Sequence, residues 1–184
     1  MQGEIAARAF EENPELDLNG DGKIQYLMLE GESGHQDAIV RTEASVSTFV
    51  REGFKVEKLK SIIANWDRVQ ASTKMEQIIS EYGKKIELIF ANNDDMALGA
   101  IDAYEAAGIL KNEQPVIVGI DGTDVGLDAV KSGKMYGTVY NDKESQAKAL
   151  VDLAYAETVL GDLSGINFTG GRYIRVPYSK VFNE

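Results

Sequence analysis

The chain has 184 residues, 43% of them hydrophobic, and 30 acidic residues against 19 basic ones give it a formal net charge of −11. This length and apolar content suffice for one sizeable globular domain and argue against a disordered chain, while the acidic balance disfavours nucleic acid and anionic lipid as partners. The absence of cysteine excludes disulfides, thiolate metal sites and cysteine catalysis.

Short β-branched segments alternate with longer segments of helical period, which predicts an α/β fold: a doubly wound parallel sheet with helices on both faces. In chain order, the predicted strands are 24–30, 54–62, 86–91, 115–120, 137–140 and 173–178. The predicted helices lie between them, at 37–52, 67–82, 94–107, 124–132 and 142–160. Gly53 and Gly83 follow the first two helices at the position of a left-handed cap. The turn-rich stretch 161–171 is predicted to be a surface connection.

The stretch DLNGDGKIQ, before the first predicted strand, begins like a calcium-binding loop of the helix–loop–helix type. Oxygen side chains occupy positions 1, 3, 5 and 9, glycine occupies position 6, and position 7 offers a backbone carbonyl; in order along the chain these residues are Asp17, Asn19, Asp21, Gly22, Lys23 and Gln25. Position 12, where such loops have a bidentate glutamate, is Met28. A metal site here therefore needs a glutamate from elsewhere in the chain.

Glu87 is the candidate for that missing ligand because it opens the third predicted strand. In the commonest doubly wound order the first and third strands are neighbours, so their starting ends lie side by side. Loop oxygens together with a bidentate Glu87 match the number of ligands that calcium takes, whereas magnesium prefers to keep several waters. The alternative is a solvated Asp-Gly turn that leads into a strand.

Polar or aromatic residues follow each of the first five predicted strands, at the edge where open parallel sheets bind ligands. These residues are His35, Asp37, Arg41, Trp66, Asn92, Asn93, Asp94, Asp121, Asn141 and Asp142. Asp, Asn, Arg and His pair with hydroxyls as donors and acceptors, and a tryptophan ring covers the C–H face of a pyranose. The set predicts a neutral polyhydroxylated ligand, and a sugar fits better than a phosphate.

Ordinary structural roles also explain these residues one at a time. Asp37, Asp94 and Asp142 stand where helix N-caps are expected. A lone His35 in a loop is often a surface residue, and Trp66 alone could belong to the core or its rim. Their joint presence at one edge favours a binding site over independent structural roles.

The sequence resembles the bacterial D-galactose/D-glucose-binding proteins of ABC sugar uptake and chemotaxis, which are type I periplasmic binding proteins with two α/β lobes that close on one sugar. The resemblance runs nearly end to end and is carried by DLNGDGKIQ, GESGHQDAIVR, ANWD, IELIFANNDDMALGAIDA, VGIDGTDVGLDAVKSG and GTVYNDKESQAKA. It implies sugar contacts at His35, Asp37, Arg41, Trp66, Asn93, Asp121 and Asn141. It implies a structural calcium ion held by Asp17, Asn19, Asp21, the carbonyl of Lys23, Gln25 and Glu87.

Members of that family begin with a whole amino-terminal lobe, which has no counterpart in this sequence. The resemblance therefore implies a carboxyl-terminal lobe only: 1–141 as the sugar-binding lobe with the calcium loop, 142–171 as a segment that packs on the other lobe in the family, and 172–184 as the final strand returning to the lobe. An apolar stripe on 142–160 would then lack its cover, which predicts self-association through Ala147, Leu150, Val151, Ala154 and Val159.

The resulting prediction is a binding protein without catalytic activity. Its ligand would be a monosaccharide, galactose or glucose, bound weakly by half a cleft, and the full-length protein would meet a membrane ABC transporter and, in some cases, a chemoreceptor. The location would be periplasmic or extracytoplasmic, lipid-anchored in some bacteria, and no export signal is apparent in this chain.

Two other functions remain open at the sequence level. A carbohydrate-active enzyme of similar fold could use Asp37, Asp94 and Asp121 for acid–base work, although no serine elbow or phosphate loop supports it. An effector domain of a sugar-responsive transcriptional regulator would share the fold. The acidity of the chain, the lack of a helix-turn-helix pattern and the calcium-type loop argue against it.

Overall fold

A computed structural model of the protein describes residues 1–182. The helices are Gln2–Glu12 (α1), Gln36–Arg51 (α2), Arg68–Tyr82 (α3), Asp94–Ala106 (α4), Asp124–Lys131 (α5) and Lys143–Tyr155 (α6). The strands are Ile24–Glu30 (β1), Val56–Ile63 (β2), Leu88–Ala91 (β3), Val116–Asp121 (β4), Gly137–Tyr140 (β5) and Ser179–Phe182 (β6). No helix within residues 1–182 combines the length and apolarity needed to cross a membrane.

The six strands form one sheet in the order β2-β1-β3-β4-β5-β6, and the pairs β1–β2, β1–β3, β3–β4 and β4–β5 are parallel. The predicted α/β fold class is thereby confirmed, and so is the predicted adjacency of the first and third strands. Gly53 and Gly83 have φ of +102° and +53°, as expected for residues that end helices in the left-handed region.

Two apolar clusters lie on opposite faces of the sheet, because successive side chains of a strand point to opposite sides. Leu27 and Leu29 of β1 pack into one cluster with α3 and α4, while Tyr26 and Met28 pack into the other with α1 and α2. The central strands are therefore buried on both faces, which explains their nearly continuous apolar sequences.

Helix α1 is an element that the sequence analysis did not predict. It buries one face, with Ile5, Ala6, Ala9 and Phe10 at most 3% exposed, and this spacing of apolar residues is the helical signal that was available. Its Gln2 amide donates to the carbonyls of residue 91, at the carboxyl end of β3, and residue 118, within β4, both over 2.8 Å.

The last strand was predicted at the wrong place. Residues 173–178 form no strand, apart from an isolated bridge between Thr169 and Tyr173, and the strand is Ser179–Phe182 instead. Pro177 interrupts the alternating pattern there, and proline cannot donate to a strand ladder. The predicted helix 142–160 is helical over 143–160 but changes type: α6 ends at Tyr155, and a π-helical turn, Ala156–Leu160, follows it directly.

The chain divides into two compact units. Among the described residues, the first comprises 1–140 and 180–182, and the second is Asn141–Ser179. Asn141 and the stretch before Lys180 thus belong to the second unit, whereas the sequence analysis assigned them to the lobe and to the final strand.

The second unit consists of α6, the π-helical turn and irregular chain around an open groove of about 790 Å³. The groove is lined mainly by apolar side chains and by two arginines, Arg172 and Arg175. None of the residues of α6 is buried, and Leu150 and Val151 are 69% and 67% exposed. This unit therefore lacks an apolar core comparable with that of the first.

Candidate functional site

Most of the residues predicted to bind ligand lie at the carboxyl edge of the sheet in the first unit. Among residues 1–182 the non-glycine residues with positive φ are Asn65, Trp66 and Asp121, at +53°, +63° and +121°. Such conformations are costly for residues with a Cβ and persist where the surrounding structure enforces them, often at functional sites. The ends of β2 and β4 are therefore the first places to look for a binding surface.

The Trp66 ring is the aromatic surface at this edge of the sheet. The ring lies so close to Gly31 that a Cβ on that glycine would stand 2.1 Å from two ring carbons. His35 meets the ring edge to face at a centroid distance of 5.3 Å, and the Arg41 guanidinium lies 5.7 Å from the ring centroid. Gly31 is a site residue that the sequence analysis missed, although a glycine directly after β1 was a visible signal for close approach.

An ion pair lies beside the ring. Arg41 donates to Asp121 Oδ1 over 2.9 Å and to the carbonyl oxygen of Asn92 over 2.8 Å. The side chains of Arg41 and Asp121 are 18% and 29% exposed, so the pair is only partly solvated. Burial raises the pKa of Asp121, the Arg41 charge opposes this, and the carboxylates of Asp95 and Asp37 add to the rise.

The two asparagines after β3 have different roles. The Asn92 side chain is fully buried, accepts from the backbone N–H of Gly31 over 3.1 Å and donates to Thr42 over 3.1 Å, so it is a structural residue. The Asn93 side chain donates to the carbonyl of Trp66 over 3.1 Å and caps α4 through the N–H of Met96. Asn93 is thus the asparagine that contacts Trp66.

The helix caps differ from those predicted. His35 rather than Asp37 caps α2, since its Nδ1 accepts from the N–H of Asp37 over 3.2 Å, which leaves its Nε2–H free to donate. Asn93 rather than Asp94 caps α4, and Asp94 is completely buried. The prediction for Asp142 is confirmed, because its side chain accepts from the N–H of Ser145 over 3.0 Å.

Direct contacts therefore join five of the seven predicted sugar contacts: His35, Arg41, Trp66, Asn93 and Asp121. Asp37 is exposed, and its carboxylate acts on Asp121 through space. Asn141 belongs to the second unit, where its side chain accepts from the Gln146 amide. The cluster offers a flat ring, two amide or imidazole groups and a carboxylate–guanidinium pair, which suits a ligand with several hydroxyls.

The loop 17–25 and Glu87 meet at the opposite edge of the sheet. Glu87 is 2% exposed, and its two oxygens accept from the N–H groups of Leu18 over 2.6 Å and Gln25 over 2.9 Å. Burial raises the pKa of Glu87, backbone hydrogen bonds lower it, and the Asp17 carboxylate raises it further. The predicted placement of this glutamate beside the loop is confirmed.

The acidic side chains of the loop accept from the backbone of the loop itself. Asp17 accepts from the N–H groups of Gly20 and Gly22 over 2.8 and 2.9 Å, and Asp21 accepts from that of Lys23 over 2.8 Å. In the part of the chain that the structure describes, no three His, Cys, Asp or Glu side chains are grouped to hold a metal ion. The donor chemistry is nevertheless that of a hard cation: oxygen atoms only, with a buried carboxylate that has a second carboxylate as neighbour.

Comparison with known proteins finds the relatives of this chain among periplasmic binding proteins. A family model described as "Periplasmic binding protein domain" matches residues 1–161. The D-galactose/methyl-galactoside binding periplasmic protein MglB of Haemophilus influenzae is 39% identical over 155 residues, which is 84% of this chain and 46% of that protein. The ribose import binding protein RbsB of the same organism is also 39% identical, over 127 residues, 69% of this chain and 40% of that protein.

A solved structure agrees with these relatives. An ABC transporter solute binding protein from Bacillus halodurans, with bound myo-inositol, is 30% identical with a TM-score of 0.72 and covers 93% of this chain and 55% of that one. The chain thus spans about half the length of the relatives that it matches.

Proposed function

The chain belongs to the periplasmic binding protein domain family, and from this premise we propose that it binds a monosaccharide as part of an ABC-type sugar uptake system. The observation that carries the proposal is the Arg41–Asp121 ion pair beside the Trp66 ring, with His35 at the ring edge. A ring face for C–H groups beside a charged donor–acceptor pair for hydroxyls matches the chemistry of a sugar.

We infer that the ligand is galactose or glucose. The resemblance of the loop and site segments to galactose/glucose-binding proteins and the galactoside-binding relative support this choice. The ribose-binding relative and the inositol-bound structure name the competing ligands. Within the first unit, the discriminating groups would be Asp37 and Asn93, together with His35, Arg41, Trp66 and Asp121.

The affinity of this chain alone for sugar should be low, because it spans about half the length of its relatives and a ligand bound by one lobe keeps one face in water. Titrations with galactose, glucose, ribose and myo-inositol can be followed through Trp66, the single tryptophan of the chain. We expect a saturable change with a dissociation constant on the order of millimolar, and the strongest binding for galactose or glucose.

Matched variants locate that binding. Asp121→Asn should weaken it by about tenfold or more, since a hydrogen bond to a charged group is worth roughly 1.5–3 kcal/mol. Asp128→Asn removes an exposed carboxylate on α5 and should change nothing. Absence of a saturable response to any of the four ligands in the folded protein would contradict the proposal, and so would equal effects of the two substitutions.

The proposed role is binding without catalysis. Of the three carboxylates considered for acid–base work, Asp94 is completely buried and cannot reach a substrate, while Asp121 is paired with Arg41. In the full-length protein the partners would be a membrane ABC transporter and, in chemotactic bacteria, a chemoreceptor. The corresponding location is the periplasm or the extracytoplasmic face of the membrane.

We also propose a structural calcium ion at the opposite edge. Asp17, Asn19, Asp21, the carbonyl of Lys23, Gln25 and Glu87 would hold it. The ion would supply the positive charge that the buried Glu87 and its neighbour Asp17 lack, and would tie the loop to the start of the strand that Glu87 precedes. Its distance from the ligand edge argues for a role in stability rather than in binding sugar.

The exposed apolar side chains of α6 and of the π-helical turn that follows it suggest self-association of this chain. Leu150, Val151 and Val159 are 69%, 67% and 63% exposed, and burial of each such side chain would gain roughly 1.5–3 kcal/mol. A second copy of the chain would cover them. In a longer protein with two lobes, the amino-terminal lobe would cover the same face, as the family resemblance implies for 142–171.

A further inference from the structure

Asp94, the first residue of α4, is a buried carboxylate that the proposed ligand site does not use. Its exposed fraction is 0%, and proteins keep a charge away from water only where hydrogen bonds or opposite charges compensate the lost hydration. It directly follows Asn93, one of the residues assigned to the ligand site. The contacts of its carboxylate therefore bear on the shape of that site.

Three donors from two residues converge on the Asp94 carboxylate. Thr138 of β5 donates its hydroxyl to Oδ1 over 2.6 Å, while Thr123 donates its backbone N–H to Oδ2 over 2.8 Å and its hydroxyl over 3.2 Å. The space around the group is shaped for it: a Cβ on Gly119 would lie 2.3 Å from Oδ1, and one on Gly126 would lie 2.2 Å from Oδ2. A side chain at either glycine would displace the carboxylate.

Thr123 connects this cluster to the ligand site, because it lies two residues after Asp121. Asp121 has a φ of +121°, a conformation that a residue with a Cβ keeps only when neighbouring contacts impose it. The bond from the Thr123 N–H to Asp94 fixes one end of this turn, and the Arg41 pair fixes the side chain of Asp121.

The charge of Asp94 is kept at a cost. Burial raises its pKa to about 6, the hydrogen bonds from Thr138 and Thr123 oppose this, and the Asp121 carboxylate, itself paired with Arg41, adds to the rise. A neutral apolar side chain would avoid that cost but could not accept three hydrogen bonds. The group is therefore better explained by the geometry that it holds than by stability.

We propose that Asp94 is a positioning residue for the ligand site: together with Thr123 and Thr138 it holds the turn that carries Asp121, and so sets the affinity for sugar without contacting the sugar. This inference rests on the proposed function, since the property that it controls is binding at Asp121.

Thr138 allows the inference to be tested with a matched pair of variants in the full chain. Thr138→Val keeps the shape of the side chain but removes the hydroxyl that donates to Asp94, whereas Thr138→Ser keeps the hydroxyl. For each variant, hydrogen exchange at the Thr123 amide is measured without sugar, and the galactose dissociation constant is measured by titration. Both measurements are made well below the melting temperature of the variant.

We expect Thr138→Val to raise the Thr123 exchange rate and the galactose dissociation constant by about tenfold each, and Thr138→Ser to stay within about twofold of the wild type. A lower melting temperature of Thr138→Val with unchanged affinity would overturn the inference, because Asp94 would then serve stability alone. A wild-type chain that binds no sugar contradicts the proposed function instead. The exchange rates of the Thr123 amide in Thr138→Val and Thr138→Ser would then still test the inference: a faster rate in Thr138→Val alone supports a turn positioned by Asp94, and equal rates overturn it.

Discussion

The two units of the chain differ in how they treat their apolar side chains. In the first unit, apolar residues of the central strands are buried on both faces of the sheet, and the candidate sugar and calcium residues lie at its two edges. In the second unit, no residue of α6 is buried and several large apolar side chains are exposed. The first unit has the core of an independent domain, and the second has the surface of a docking element.

This difference bears on which unit would bind sugar and metal and which would associate with another copy of the chain. The candidate calcium site lies within the first unit, where Glu87 contacts the loop 17–25. Five of the seven candidate sugar contacts also lie in this unit, at the opposite edge, and touch one another because the strand order brings their strands together. The second unit contains Asn141 and the exposed apolar side chains of α6. We therefore expect the first unit to determine folding and metal binding, and the second to determine association.

The largest expected effect separates the two units by their cores. Phe90 of β3 is 0% exposed, so Phe90→Ala should lower the free energy of unfolding by about 3–5 kcal/mol. Leu150→Ala in α6 should change it by less than about 0.5 kcal/mol, because this side chain is 69% exposed. Denaturant unfolding measures the free energy of unfolding of both variants. A loss from Leu150→Ala as large as that from Phe90→Ala, at low protein concentration, would show that the second unit also has a stabilising apolar core.

The next effect concerns the pH dependence of the first unit. The pKa of Asp94 is raised from 3.8 to about 6, so the folded state binds this proton more tightly than the unfolded state. The resulting stabilisation is complete below about pH 3.8 and is lost as the pH rises through 6, with an upper bound of roughly 3 kcal/mol.

The free energy of unfolding is measured between pH 7.5 and 5 for the wild type and for Asp94→Asn, and the difference between the two proteins isolates the contribution of Asp94. Relative to Asp94→Asn, the wild type should become more stable as the pH falls across this range. Parallel pH profiles of the two proteins would show that Asp94 titrates in its ordinary range.

Calcium should stabilise the first unit. Addition of calcium to chelated protein should raise the melting temperature, since a ligand at 100 times its dissociation constant contributes about 2.7 kcal/mol. Glu87→Gln should abolish most of this rise, because it removes the charge and the bidentate contact, whereas Asp128→Asn should preserve it. Identical melting curves of the wild type with calcium and with chelator would rule out the proposed ion.

The smallest effect concerns association through the second unit. Sedimentation of the wild type at micromolar concentrations should show self-association, and Leu150→Glu with Val151→Glu should yield a monomer. Val69→Glu with Val125→Glu, at positions 71% and 51% exposed in the first unit, is the matched control and should leave association unchanged. A monomeric wild type whose stability and solubility equal those of the α6 variant would show that this face is no interface.

Local pattern and strand order explain how much of the fold was predictable. Apolar runs such as 24–30 and the glycines after helices located most elements, because buried parallel strands and helix caps have strong signals. The placement of Glu87 beside the loop followed from the commonest strand order. Helix α1 was missed, although its apolar spacing was helical, and the last strand was misplaced because YIRVPY alternates like a strand despite Pro177.

The residues of the candidate site were predictable by type and position, but their partners were not. Nothing in the sequence alone indicates that His35 caps α2 or that Asn93 is oriented by the Trp66 carbonyl. Gly31 and Asp94 were underestimated, because their roles depend on contacts with residues distant in sequence: the Trp66 ring for the one and Thr138 for the other.

The most direct test of the account is to map the binding of galactose by the amide signals of the full chain in solution. We predict saturable shifts at residues 31, 35–41, 64–66, 92–93 and 121–123, at the carboxyl edge of the first unit, and none in the loop 17–25 or in α6. Shifts confined to α6 and the groove of the second unit, or an absence of shifts at sugar concentrations far above millimolar, would contradict a sugar site built on Trp66, Arg41 and Asp121.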